Sequence, residues 1–224
     1  MTHIPSVLKA LEGTSVYDVL VTTEAAYSRI AQEQAVWYEK TQFLCPDGCG
    51  HCCLGFEPDL FEGEVLYMAA WLLEQQREKA FAIAEGNFPF ENGEKTCPLF
   101  NENSPYHCSI YGGRPFICRL FGASCSSDRK GNKVWRPCKF YPDKALAARQ
   151  PPLERRQYSE AEATAILGAL PPLMSDMTEG ARASAENGTV MLRAELPAAI
   201  KRLLWLISMK GKDTSGSSLP PFSP

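Results

Sequence analysis

The sequence predicts a mostly α fold, with helices packed around an irregular, cysteine-rich core. Three observations predict it. Apolar residues recur at helical spacing over residues 14–44, 59–84 and 159–210. Residues 86–157 show no period of either kind and are rich in Gly, Pro, Asn, Ser and aromatic residues. All nine cysteines lie between Cys45 and Cys138, a clustering that random scatter would give well under about one time in a thousand.

The elements follow in order. Residues 1–13 read as a loose leader. Val16, Leu20, Tyr27, Ile30, Trp37 and Leu44 then share one helical face, with Ser15 and Asp18 at its start. Pro46 and Gly48 cannot continue that helix, so its end delivers the chain to Cys45. A second helix is expected from about Asp59 to Ala84, after Pro58 and before Gly86, with Leu66, Trp71, Leu72 and Ile83 among its apolar residues. Ser159 is a good N-cap for a third, with Glu160 and Glu162 in the first turn. Pro171-Pro172 breaks the pattern, a further helix runs to about Asn187-Gly188, and a last one spans about Pro197 to Lys210. Trp37, Trp71 and Trp205 read as core. Residues 1–211 are expected to form a single domain. The tail 212–224, rich in Ser, Gly and Pro, reads as disordered.

Composition excludes several classes. A chain of 224 residues that is 45% hydrophobic buries a sizeable core without covalent staples. Its net charge of −3 argues against nucleic acid or an anionic membrane as the main partner. No run approaches the apolar length of a membrane span. The N-terminus has neither a basic region nor an unbroken apolar run, so a cytoplasmic location is expected. No Ser/His/Asp set, paired carboxylates or phosphate-cradling loop stands out, which leaves enzyme activity open.

The cysteines come in three groups. Cys45, Cys49, Cys52 and Cys53 form one tight loop; Cys97 and Cys108 flank a turn-rich segment; Cys118, Cys125 and Cys138 follow singly. Disulfides are disfavoured by a reducing compartment and by the odd count. Metal is favoured, ahead of metal-free redox chemistry, because glycine and proline let the backbone wrap an ion or cluster closely. Metal–thiolate bonds also explain how 86–157 is ordered without regular elements, so the cysteine-rich core is read as metal-organised. Single cysteines such as Cys125 or Cys138 carry the alternative of a small buried apolar side chain. Structural zinc takes paired C-x-x-C knuckles, which are missing here. Several thiols from one loop plus distant single ones is an iron–sulfur pattern, so a cluster, of the 4Fe-4S type, is favoured over zinc. Two four-thiolate sites are compatible with the count.

Cys45, Cys49, Cys52-Cys53, Cys97-Pro98-Leu99, Cys108-Ser109-Ile110-Tyr111-Gly112-Gly113-Arg114-Pro115 and Cys118-Arg119-Leu120-Phe121-Gly122 together carry a resemblance. Over residues 40–140 the chain resembles the YkgJ-type cysteine-cluster family, with signature C-x-x-C-x-x-C-C, described as a zinc- or iron-chelating domain. Its first spacing here is three residues rather than two. The resemblance implies Cys45, Cys49, Cys52, Cys53, Cys97, Cys108 and Cys118 as metal-site residues, with Cys125 and Cys138 matching less firmly. A related group, the flagellin lysine N-methylases, shares the pattern and implies a methylase-like enzyme using S-adenosylmethionine as an alternative. No glycine-rich strand–helix loop is present for that donor. A zinc-organised interaction domain with a protein partner is a further alternative.

Residues 95–150 hold ten Lys and Arg against three Asp and Glu. Four thiolates on zinc or on an oxidised four-iron cluster leave a charge of about −2 to be offset. Arg114 and Arg119, next to the thiols, are read as that offset, in preference to an anionic ligand such as a cofactor carboxylate or a nucleic-acid patch. His51, inside the first loop, reads as facing solvent or flanking the ligands, since thiols are plentiful. Trp135, Phe116, Phe121, Tyr106 and Tyr111 are expected to shield the centre from water.

Overall fold

Helix α3, Glu62–Gln75, is buried almost all round: Val65, Leu66, Met68, Ala69, Ala70 and Leu72 are each 3% exposed or less. A helix apolar on every side belongs at the centre of a helical assembly. The structure, a computed structural model, describes residues 2–43, 49–90, 92–93, 95–104, 106–183 and 188–213. Against α3 pack α1 (Pro5–Leu11), α2 (Ser15–Thr41), α4 (Arg77–Ala84) and α9 (Leu192–Asp213). The fold is mostly α, as the periodicity predicts.

Several boundaries differ from the sequence reading, each for a local reason. The leader is not loose over its described residues: Ile4, just before α1, and Val7 and Leu11 on it are buried. The start of α2 is capped by Thr14 rather than Ser15, its hydroxyl accepting from Tyr17 N–H at 3.2 Å. The stretch 59–84 divides, because Gln76 leaves helical geometry at φ −145° and separates α3 from α4. Asp59–Leu60 instead forms β1, paired antiparallel with Val190–Met191 (β5). The last helix begins at Leu192, so Pro197 lies inside it and removes one backbone hydrogen bond. Trp205 is 59% exposed and is not core. The tail from 214 onward lies outside the described residues.

The aperiodic stretch is built of short pieces: α5 (Phe116–Leu120), β2 (Ser126–Ser127), β3 (Lys133–Trp135) and α6 (Asp143–Ala147). Strands β2, β3 and β4 (Tyr158–Ser159) make a three-stranded antiparallel sheet, with Val134 opposite Ser126 and Ser159. Ser159 then caps α7 (Glu160–Leu167), accepting from Glu162 N–H, as expected. A further helix, α8 (Met174–Ala183), follows.

The apolar side chains form two clusters. The larger joins α1, the N-terminal part of α2, α3, α4 and α9. The smaller joins Trp37 and Phe43 to Trp135, Leu146, Tyr158 and Leu167. Helix α2, roughly 40 Å long at 1.5 Å per residue, contributes to both. Its C-terminal carbonyls are taken by Arg149, whose guanidinium donates to Thr41 O and Gln42 O at 2.6 Å each.

Candidate metal centre

The first cysteine loop turns tightly. Gly50 is left-handed at φ 42°, and a 3-10 turn, His51–Cys53, follows, with Cys53 N–H donating to Gly50 O at 2.9 Å. A Cβ at residue 50 would collide with the His107 ring, so only glycine lets this loop seat on the second cysteine segment.

That second segment is a hairpin-like loop. Phe100 and Cys108 form an antiparallel bridge, Asn101 N–H donates to His107 O at 3.1 Å, and Ser109 N–H donates to Leu99 O at 3.0 Å. Cys97 and Cys108 are thereby placed on the two arms of one loop. Cys97 N–H donates to Phe56 O at 3.1 Å. The buried Glu57 carboxylate pairs with Arg193 at the start of α9, and Arg193 also donates to Gly93 O and Thr96 O. The last helix therefore anchors the Cys97 loop.

Cys118 rides on α5, a helix too short to stand alone. Both of its ends are held by other elements. The Glu64 carboxylate of α3 accepts from Phe116 N–H at 2.5 Å and from Phe61 N–H at 2.8 Å, so one carboxylate serves two helix starts. At the other end Gln34 of α2 donates to Arg119 O at 2.8 Å and to Ala123 O at 3.2 Å. Arg119 folds back to donate to Arg114 O and Gly112 O, with its guanidinium 4.0 Å over the Tyr27 ring.

These supports converge on one cavity of about 240 Å³. Six cysteines line it: Cys49, Cys52, Cys53, Cys97, Cys108 and Cys118. A second space of about 40 Å³ adjoins it, lined by Cys49, Cys52 and Cys138 with Phe43, Phe140 and Tyr141. Tyr38 and Phe121 line both. Cys125 reaches neither: it is 3% exposed within the smaller apolar cluster, bridged through its backbone to Leu173. Cys45 lies outside the described residues. The eight described cysteines are all free thiols. Among the described residues no three His, Cys, Asp or Glu side chains are gathered tightly enough to hold one ion as they stand.

The donor chemistry nevertheless fits a soft metal. Sulfur lines both spaces and no carboxylate does. Arg114 lines the larger one, its guanidinium 3.6 Å over the Tyr111 ring, and its buried Nε–H has no acceptor. An orphaned guanidinium donor beside thiols suits thiolate or sulfide as its partner. The Cys52 and Cys53 sulfurs lie 4.0 Å apart. The contact with the neighbouring Cys53 pulls the Cys52 thiol down to about 7, and the same contact together with burial pushes Cys53 up. Burial pushes the Cys97 thiol up to about 12 and raises Cys108, Cys118 and Cys138 as well. Without a cation these buried thiols keep their protons.

Of the expected shields, Tyr106, Tyr111 and Phe121 line the larger cavity. Tyr106 is 63% exposed and stacks on Tyr111 with ring centroids 4.3 Å apart, at the solvent edge. Trp135 and Phe116 do not line it; they sit in the two apolar clusters. Sequence reasoning missed Tyr38, Met68, Ile117 and Leu192 as walls and Glu64 as the pin for α5. Nothing in their local sequence signals a role that depends on distant segments.

Residues 44–164 match the profile of the CxxCxxCC family, described as a "putative zinc- or iron-chelating domain". No curated protein and no solved structure matches the chain. The matched stretch is more than half of the chain and takes in all nine cysteines. With that coverage, and with seven cysteine side chains lining two adjoining spaces, the chain belongs to the CxxCxxCC family of zinc- or iron-chelating domains.

Proposed function

We propose that this chain chelates iron as a four-iron iron–sulfur cluster and works as an electron carrier. The observation that carries this is the larger cavity. Cys53, Cys97, Cys108 and Cys118 line it and not the smaller space, which gives four sulfur ligands from three separate segments. Its 240 Å³ far exceeds the room of one tetrahedral ion, whose thiolates sit at about 2.3 Å. Arg114 and Arg119 supply positive charge against a buried anionic centre. The walls are otherwise apolar or aromatic, and Tyr106 and Tyr111 lead from the cavity to solvent, a short path for one electron to a soluble redox partner.

The test is anaerobic purification followed by iron, acid-labile sulfide and zinc analysis. The proposal expects about four irons and four sulfides per chain, with a brown colour that bleaches reversibly on reduction. A colourless protein carrying zinc alone would replace it with a zinc-organised interaction domain. Loading should also release protons and weaken as pH falls, because the buried thiols that become ligands start protonated.

A further inference from the structure

We propose that the larger cavity also takes a small organic acid at its solvent mouth, with the carboxylate held edge-on by Arg114 and an apolar body lying against the cavity wall. The inference goes beyond the cluster reading and does not depend on which metal the thiols hold.

Two arginines border this cavity, and they are used differently. Arg119 is committed to the fold. Its Nε donates to Arg114 O at 2.7 Å, its Nη2 donates to Gly112 O at 2.5 Å, and its guanidinium lies over the Tyr27 ring. The Arg114 guanidinium donates no hydrogen bond and makes no ion pair among the described residues, and its Nε is buried. What holds it is a ring. The guanidinium carbon stands 3.6 Å from the Tyr111 centroid, and Tyr106 stacks on Tyr111 with centroids 4.3 Å apart. Both cannot share one face of Tyr111, so the layers run Arg114, Tyr111, Tyr106.

That stack occupies a face of the guanidinium. Its N–H bonds lie in the plane and point outward from the edge, where they match the two oxygens of a carboxylate. A sulfur beside Nε takes one of these donors and leaves the others. Stacking thus fixes the plane of the fork without using it up.

The surroundings select the ligand. No Asp or Glu lines the cavity, so no acid among the described residues competes for Arg114 there. Met68, Leu99, Phe100, Ile110 and Ile117 give apolar walls, which favour an organic body over a bare inorganic anion. Access is from the aromatic side, where Tyr106 is 63% and Tyr111 40% exposed. The sulfurs sit deeper, as the burial that raises the Cys97, Cys108 and Cys118 thiols shows. An acid at the mouth therefore leaves the sulfur-lined floor to the metal.

The experiment is anaerobic titration calorimetry on the full chain as purified. Benzoate is the probe, benzamide its neutral isostere and inorganic phosphate the bare anion. A single benzoate should bind per chain, with benzamide and phosphate at least about ten-fold weaker. Arg114→Lys keeps a positive charge beside the thiols and loses the fork. It should weaken benzoate about ten-fold and leave benzamide unmoved. Tyr111→Leu keeps an apolar wall and removes the platform under Arg114, and should weaken benzoate about two- to five-fold. Iron, sulfide and zinc are measured on every sample. They report the metal reading and benzoate reports this one, so either can fail alone. The inference is overturned by a lack of saturable binding up to about 10 mM benzoate, by benzamide or phosphate binding as tightly, or by full benzoate affinity in Arg114→Lys. Should Arg114→Lys lose its metal, Tyr111→Leu decides: undiminished affinity there also overturns it.

Discussion

The α1–α3–α9 assembly and the cysteine-bearing stretch from Cys97 to Cys138 are held together by different physics. In the first, α3 buries aliphatic side chains on every side, and the apolar area removed from water supplies the stability, at roughly 25 cal/mol per Å². In the second, short pieces are pinned by single polar contacts: Glu64 on Phe116, Gln34 on Ala123, Arg193 on Thr96. Between those pins lies a thiol-lined space rather than packed hydrocarbon. The helical core is closed by packed side chains, whereas the cysteine-bearing stretch surrounds a thiol-lined cavity.

That contrast is broken most sharply by removing the metal. Chelation should strip amide-exchange protection from residues 97–125 while α3 and α9 keep theirs, because only the cysteine-bearing stretch loses its organising bonds. Equal loss in both, measured by hydrogen exchange, would show that the helices also depend on the metal. The reverse perturbation is Leu72→Ala at a fully buried position of α3. It should cost about 2–5 kcal/mol in denaturant unfolding and leave the metal content unchanged.

Glu64 sits on the boundary between the regions and is 2% exposed. Burial raises its pKa from 4.5 to about 7, against the pull of its two N–H donors and Arg119. Folding therefore takes up a proton between those values. The associated stability is full below pH 4.5 and is lost as pH rises through about 7, an effect of up to about 3 kcal/mol. Glu64→Gln should flatten that slope in melting measurements across the same window; an unchanged slope would assign it to other groups. The smallest effect is expected at Cys125, which lines neither thiol-bordered space. Cys125→Ala should cost about 1–2 kcal/mol and leave the metal content unchanged. A loss of metal would place Cys125 among the ligands.

The sequence made the two regions legible to different degrees. Helix α2 and α7 were readable because their determinants are local: an apolar period and, at Ser159, a side-chain cap. The clustering of cysteines was readable because composition alone carries it. The division of α3 from α4 at Gln76 was not, since no Gly or Pro marks the break. Helix α1 was missed because seven residues are too few to display a period. The role of Glu64 was invisible for a deeper reason: it links the starts of two helices more than fifty residues apart, and sequence spacing holds no record of that. The same holds for Cys125 against Cys138. Both are single cysteines in an irregular stretch, and only the path of the chain turns one into a small apolar side chain and the other toward Cys49 and Cys52.

The most direct test of the account is X-ray absorption at the iron edge on anaerobically purified protein. A four-iron cluster gives a first shell of sulfur alone at about 2.3 Å together with a short iron–iron shell. A first shell of oxygen or nitrogen, or an absence of bound iron, would contradict it.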